Sequence, residues 1–233
     1  MASLPASGSW PDDLPLNFFK AVPIFALPNV VLFPRAVLPL HIFEERYKAM
    51  TADALEGRRL MAMALLEPGW EKDYYARPKV DPVVCVGEIL NDEQLPDGKY
   101  NFLLQGIIRA RIVREYDDQP YRVADLERLP ETAATEMELS DQRKRMTETL
   151  KADFAQFLPA AQQFMQLLAS PLPTADIADL IAFHLLDDVP FKQSLLAECD
   201  VRQRVTRIVD AVQKIHPPRP KGWPRFPKDP NWN

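Results

Sequence analysis

Two residues of this chain have side chains that could carry out nucleophilic catalysis, Cys85 and His184. A thiolate activated by a histidine attacks carbonyl groups, and such a pair meets only in the folded protein, so their sequence separation does not exclude it. Cys85, however, lies between Val84 and Val86 in a predicted buried strand, where a thiol is inert. His184 lies on or beside the inward-facing apolar stripe of a predicted helix, where a structural histidine is expected. Both settings favour structural roles over a hydrolase site.

No other group of residues in the sequence has a pattern that indicates a metal site or catalysis. His41 with Glu44 and Glu45 resembles a ligand cluster, but a zinc site needs about four ligands, and the chain has no C-x-x-C or H-x-x-x-H. The pair Gly98–Lys99 lacks the upstream glycine of a phosphate-binding loop, and no G-x-S-x-G nucleophile motif occurs. We therefore expect no metal, no cofactor and no enzymatic activity.

Composition limits the other function classes. The 233 residues are 47% hydrophobic and 26% charged, as in globular proteins that fold in water. A net charge of −5 argues against a general nucleic-acid binder, because no overall positive field attracts phosphates. Two cysteines indicate no disulfide framework and favour a reducing cytoplasm. We find no signal-peptide pattern and no apolar run long enough to cross a membrane.

The first half of the chain is predicted to be β-rich with one helix. Val30–Phe33 is an apolar run between prolines, which favours a buried strand, and Val37–Phe43 forms a second run. Apolar residues at helical spacing from Phe43 predict a helix that ends at Gly57. Further strands are predicted at 60–66, 83–90, 100–105, 108–113 and 121–129, with a bulge at Gly87 and a turn at 96–98.

The second half is predicted to be helical. Ser140 starts a helix with Met146, Leu150, Phe154, Phe157 and Leu158 on one face, and Pro159 kinks it or opens another that continues through 160–168. Thr174 is predicted to cap a helix with Ile177, Leu180, Ile181, His184 and Leu185 inward. Pro190 begins a short helix, and Asp200 caps the last one.

Several groups of residues together resemble one known family. V-L-F-P at 31–34 and P-L-x-I-F-E-x-R-Y at 39–47 resemble the N-terminal substrate-binding domain of Lon proteases, which also occurs in cereblon and in stand-alone bacterial proteins. Further matching sequence patterns extend the resemblance to both halves of the chain. They lie at 103–106, 109–113, 179–182, 192–196 and 200–204. Arg35 departs from the family, which usually has glycine there, and implies a different turn or backbone strain if that glycine uses positive φ.

The resemblance implies an α+β fold, in which a PUA-like, mixed or antiparallel, barrel-like β half with one helix precedes an α-helical half. The expected boundaries are a tail at 1–16, the β half at 17–129, a linker at 130–139, the helical half at 140–216 and a Pro-rich basic tail at 217–233. The expected activity of this stand-alone bacterial form is non-catalytic binding of apolar segments in unfolded or degron-bearing proteins, with a protease or chaperone as a candidate partner. A client could add to an open strand edge or lie in the cleft between the halves.

The candidate binding residues are those of the first motif, the aromatic loop at 68–82 and one sheet arginine: Phe33, Pro34, Arg35, Leu38, Glu44, Arg46, Trp70, Tyr74, Tyr75 and Arg109. Glu44 and Arg46 are predicted to pair structurally where strand turns to helix, with a role as peptide anchors as the alternative. Arg109 and Arg111 lie on the same face of a predicted strand. We expect this face to be exposed to solvent, and binding of an acidic partner is the alternative. An RNA-binding role is the rival reading, because PUA-like folds sometimes bind RNA and the tail carries Arg219, Lys221, Trp223, Arg225 and Phe226.

Overall fold

The computed structural model describes residues 19–73, 76–151 and 166–214, and in this part the chain is an α+β protein. The β half contains helix α1, Glu45–Glu56, a short 3₁₀ helix, Trp70–Asp73, and six strands: β1, Val22–Leu27; β2, Val37–Ile42; β3, Leu60–Leu65; β4, Val83–Gln94; β5, Tyr100–Tyr116; and β6, Arg122–Arg128. The helical half contains a turn of helix at 166–169 and four longer helices: α2, Ser140–Thr149; α3, Thr174–Leu185; α4, Val189–Leu196; and α5, Val201–Lys214.

The six strands form one mixed sheet in the order β2-β5-β4-β3-β1-β6. An additional pairing of β6 with β5 closes five of the strands into a ring, from which β2 projects as a flap on β5. β5 can serve both ends because it is 17 residues long: its first half pairs with β2, and its second half pairs with β6. Only β1 and β3 run parallel. The sheet is therefore barrel-like, with β2 on its outside.

The strand assignments differ from the sequence prediction at one important place. Val30–Phe33 is not a strand; β1 lies earlier, at Val22–Leu27, and the V-L-F-P segment is an irregular, buried loop. The prediction was wrong because an apolar run reports burial rather than backbone hydrogen bonding. The two runs predicted at 100–105 and 108–113 are one continuous strand, β5. The bulge predicted at Gly87 agrees with the structure, because the register of β4 against β5 shifts between Val86 and Gly87.

The loop before β2 depends on a close backbone approach at Gly106. The amide of Arg35 donates to the carbonyl of Gly106 (2.7 Å), and the amide of Gly106 donates to the carbonyl of Ala36 (2.8 Å). A Cβ atom at Gly106 would lie 2.1 Å from the carbonyl oxygen of Phe33, so only glycine fits. Arg35 has φ +65°, the left-handed conformation that the family's glycine would adopt without strain.

The helical half follows the predicted pattern in most places. Asp200 accepts a hydrogen bond from the amide of Gln203 (2.9 Å) and so caps α5 as expected. Thr174 is not the cap of α3 but its first residue, and its amide and hydroxyl both donate to Glu136 (2.8 and 2.6 Å). His184 is exposed rather than inward, because it lies at the end of α3, past the segment packed by Ile177 and Ile181. The predicted helix around Phe154, Phe157, Leu158 and Pro159 lies outside the described residues.

Two apolar cores hold the molecule together. One fills the ring of strands with small and branched side chains: Val22, Ile24, Ala26, Leu60, Ala62, Ala64, Leu66, Val84, Val86, Ala110, Ala124 and Leu126. The other runs from the opposite face of the same strands through the V-L-F-P loop and α1 into the helices. Strands β1, β3 and the start of β4 are therefore buried on both faces, which explains their continuous apolar sequences.

Candidate functional site

Strand β2 is an open edge of the sheet. It pairs with β5 on one side, and in the described residues no strand pairs with its other side. Because the carbonyl of Ala36 faces β5 and the backbone direction alternates along a strand, Val37, Pro39 and His41 turn their backbone groups outward. Pro39 fits this position, since a proline has no amide to donate into the ladder. The outer edge thus offers the backbone groups of Val37 and His41 to another extended chain.

Apolar side chains accompany this edge. Val37 and Phe43 are 37% and 59% exposed, and they are two of the four large hydrophobic residues that are exposed in the described chain. Leu38 and Leu40, on the other face of β2, are half-buried against the larger core. The ring of His41 lies 6.1 Å from that of Phe43, and its Nδ1 is 2.7 Å from Oδ1 of Asn101 on β5. An open ladder beside exposed apolar groups can bind an extended segment with apolar side chains.

The edge leads directly into the first turn of α1. Arg46 Nε donates to Glu44 Oε2 (3.2 Å), and the Arg46 guanidinium lies 4.6 Å from the centre of the Tyr47 ring. The pairing of Glu44 with Arg46 that the sequence predicts is present. Arg46 is 20% exposed, so it also lines the surface there.

Three of the predicted binding residues lie in the interior, which corrects the sequence prediction. Phe33 and Pro34 are buried in the loop before β2, where Phe33 joins the larger core. Arg109 is 2% exposed, so the expected solvated sheet face is wrong at this residue. The reason is that the helical half covers this part of β5, and the boundary between the halves at Phe33 and Arg109 is a packed interface rather than a cleft.

A buried charge cluster fills that interface. Arg109 of β5 donates to Asp179 of α3 (2.8 Å) and to the Leu196 carbonyl (3.2 Å). Arg204 of α5 lies 3.2 Å from the second Asp179 oxygen, in an ion-pair contact without hydrogen-bond alignment, and 2.7 Å from Glu131. Burial alone would lower the pKa of Arg109, but Asp179 and Glu131 outweigh it and raise that pKa. The cluster is neutral overall and joins three elements.

Sequence reasoning missed this cluster, although a signal was present. Asp179 and Arg204 lie on the buried faces of their helices, one turn before Ala182 and Ile208, which are both fully buried. A charged residue at such a position needs a buried partner of opposite charge. Arg35, also a predicted site residue, makes a further bridge between the halves, through its ion pair with Asp176 of α3.

The other candidates from the sequence occupy separate places. Trp70 is half-buried against the core of the strand ring, and Tyr74 and Tyr75 lie outside the described residues, as does the basic tail. Burial raises the pKa of the Cys85 thiol to about 12, so it stays protonated at neutral pH, while His184 is exposed. Across 19–73, 76–151 and 166–214, no cluster of three or more His, Cys, Asp or Glu side chains is placed to hold a metal ion.

Comparison with known proteins shows the family. The model of the substrate-binding domain of ATP-dependent protease La (Lon) matches residues 21–214, and the chain therefore belongs to this family. This domain is the non-catalytic, substrate-binding part of Lon. The Lon protease of Trichlorobacter lovleyi is 26% identical over 208 residues, which are 86% of this chain and 25% of the relative. The Lon protease of Desulfosudis oleivorans is 24% identical, over 84% of this chain and 24% of the relative.

Solved structures show the same fold. The N-terminal domain of the Mycobacterium avium complex Lon protease has a TM-score of 0.66 at 16% identity and covers 84% of this chain and 99% of its own. A Lon N-terminal domain protein from Xanthomonas campestris has a TM-score of 0.59 at 21% identity, with coverages of 82% and 98%. The α+β fold is thus confirmed. The chain spans about a quarter of the length of the curated relatives it matches.

Proposed function

We propose that this chain is a recognition module that binds exposed apolar segments of unfolded or degron-bearing proteins without catalysing a reaction. The observation that carries the proposal is the open edge of β2, with Val37 and Phe43 exposed beside it. A client segment pairs with the outward backbone groups of β2 and places alternate apolar side chains near Phe43. Membership in the Lon substrate-binding family supports this reading.

The affinity of such a site comes from two sources. Backbone hydrogen bonds to Val37 and His41 are independent of client sequence, so the site accepts many extended segments. Burial of Phe43, which is 59% exposed, favours apolar clients and contributes on the order of 1 kcal/mol, a factor of about five in Kd. Most folded proteins protect their strand edges and bury most of their large apolar side chains, so the site discriminates against them.

The proposal extends to the setting in which the module works. A protease or chaperone is the fitting partner, because a module without catalytic groups must hand its client to another protein. Cys85 and Cys199 are both free thiols, which suits a reducing bacterial cytoplasm. In the part of the chain that the structure describes, none of the helices is both long enough and apolar enough to cross a membrane.

The test is a titration of fluorescently labelled, reduced and carboxymethylated α-lactalbumin, followed by anisotropy, beside its native form and a short RNA. We expect selective, salt-tolerant binding of the unfolded form. His41→Pro removes an outward amide and Phe43→Ser removes the ring, and each should weaken binding about fivefold or more. Val113→Ser is the matched control, because Val113 is 62% exposed on β5, eight residues and about 26 Å along the strand from Gln105, the partner of Val37.

Two results would count against this function. Equal weakening by Val113→Ser and Phe43→Ser would mean that general surface hydrophobicity, not the β2 edge, binds the client. Binding of RNA alone, with an affinity that falls steeply with salt, would favour the nucleic-acid reading instead.

A further inference from the structure

A small pocket near the start of α1 is lined by three arginines. Arg46 from α1, Arg77 from the loop before β4 and Arg122 from β6 all line it, and its volume is about 30 Å³. Among the described residues that line the pocket, every charged side chain is an arginine. A single water needs roughly 10–15 Å³, so the pocket holds a group of about two oxygen atoms.

Each of the three guanidinium groups is oriented by hydrogen bonds, and one of these bonds, from Arg122 to the Pro78 carbonyl, goes to a residue of the pocket lining. Arg77 donates to the Tyr116 carbonyl (2.6 Å) and to Asp117 (2.8 Å), and Arg122 donates to Glu115 (3.1 Å). The carboxylates of Glu44, Asp117 and Glu115 are not part of the lining. A guanidinium has five N–H donors in a planar arrangement, so a few such bonds are enough to set the orientation of each group. These bonds therefore orient the arginines in the absence of a ligand.

The electrostatics favour an anion in this place. Arg122 is only 11% exposed, and burial lowers its pKa; the carboxylate of Glu115 raises that pKa, while the positive charges of Arg77 and Arg46 lower it further. The floor includes the apolar side chains of Ile24 and Leu66, which reduce the local dielectric and strengthen an ion pair. Glu44, Asp117 and Glu115 pair with the arginines from outside the pocket, and a bound anion would add a negative partner on the pocket side.

We propose that this arginine pocket is a carboxylate-binding subsite that receives an acidic group of the client peptide. The inference rests on the proposed function and adds a chemical preference to it. A carboxylate fits because it is planar, has two oxygens and pairs bidentately with guanidinium groups. The pocket also lies close to the β2 edge, since Arg46 follows Phe43 by three residues, at most about 11 Å of chain. One client can occupy both places.

The test compares three versions of one apolar, β-prone fluorescent peptide: a free C-terminal carboxylate, a C-terminal amide, and an amide with glutamate as the penultimate residue. We expect the free acid to bind about tenfold more tightly than the plain amide, as charge-assisted hydrogen bonds imply. If the glutamate peptide recovers that affinity, the subsite also binds a side-chain carboxylate. If it does not, the subsite is specific for the C-terminal carboxylate of the peptide. Either result supports a carboxylate site.

Arg46→Gln and Arg122→Gln should abolish the preference for the free acid, so that each variant binds the free acid no more tightly than it binds the plain amide. Arg111→Gln is the matched control, because it removes one charge from an exposed residue of β5 and should keep the preference. Arg122→Lys keeps the positive charge but loses the planar guanidinium that pairs with both carboxylate oxygens. This variant should therefore retain only part of the preference for the free acid. Circular dichroism checks that each variant is folded.

The outcomes separate the two proposals. If the wild type binds the plain amide and the free acid equally, or if Arg111→Gln loses the preference as Arg46→Gln does, the carboxylate subsite is refuted while client binding stands. If the plain amide does not bind at all, the proposed function itself fails. If millimolar phosphate displaces the free acid much better than acetate does, the pocket serves a different anion.

Discussion

The buried charge cluster between the two halves gives the sharpest prediction about stability. Asp179 is 2% exposed and faces the guanidinium groups of Arg109 and Arg204, which are equally buried. Asp179→Asn keeps the shape of the side chain but removes its charge, so two buried cations are left with Glu131 alone. Removing one partner from a buried ion pair typically costs about 3–5 kcal/mol, because the remaining charge stays desolvated. We expect a loss of that size in the free energy of unfolding.

Urea denaturation, followed by circular dichroism and by tryptophan fluorescence, measures the loss. Glu131→Gln is the matched control: it removes one carboxylate from the same cluster, but Glu131 is 37% exposed, and we expect about 1 kcal/mol or less. Adding Arg109→Met to Asp179→Asn should recover about 1 kcal/mol, since it removes the one buried positive charge that Glu131 does not balance.

Two results would refute the reasoning. A loss below about 1 kcal/mol for Asp179→Asn would mean that water reaches the cluster and screens it. An equal loss for Glu131→Gln would mean that burial does not decide the cost. A loss of about 3–5 kcal/mol is a large part of the roughly 5–15 kcal/mol by which a folded protein is usually stable. The Asp179→Asn variant therefore tests how much the contact between the two halves contributes to the stability of the whole chain.

Three further predictions concern single residues. A hydrogen bond from Lys20 Nζ (2.8 Å) is the main reason that the pKa of Asp125 is about 2, below its ordinary 3.8. Its ionised form therefore stabilises the fold above about pH 4, and the gap in unfolding free energy between wild type and Asp125→Asn should close as pH falls toward 2. Ellman's reagent should label Cys199 in the native protein and Cys85 only after unfolding, and Cys199→Ser should remove the fast reaction. Arg35→Gly should be more stable than Arg35→Ala by about 1 kcal/mol in urea denaturation, because φ is +65° there.

Local sequence signals predicted the elements that depend on neighbouring residues. The helix after β2 was predicted to stop at Gly57, and α1 does end at Glu56, with the Gly57 amide bonded to the Asp53 carbonyl (3.0 Å). The turn at 96–98 was predicted from Pro-Asp-Gly, and Gly98 has φ +79°. These features are set within four residues, so a local pattern contains enough information to place them.

Features that depend on distant residues were not predictable in the same way. The apolar run 30–33 indicated burial correctly but not its irregular backbone, which the contact with Gly106 some seventy residues later decides. Arg109 alternates with apolar residues as a solvated residue would, and only the helical half, joined through Asp179, makes it an interior cation. The open edge of β2 likewise follows from strand order, which no local pattern contains.

The most direct test of client recognition at the β2 edge is amide hydrogen exchange of the β2 residues, measured by NMR with and without an apolar client peptide. The amides of Val37 and His41 face outward, whereas those of Leu38 and Leu40 are directed toward β5. The account predicts that client binding slows exchange at Val37 and His41 and leaves Leu38 and Leu40 nearly unchanged. Binding that leaves all four amides unchanged, or that protects amides only elsewhere in the chain, would contradict it.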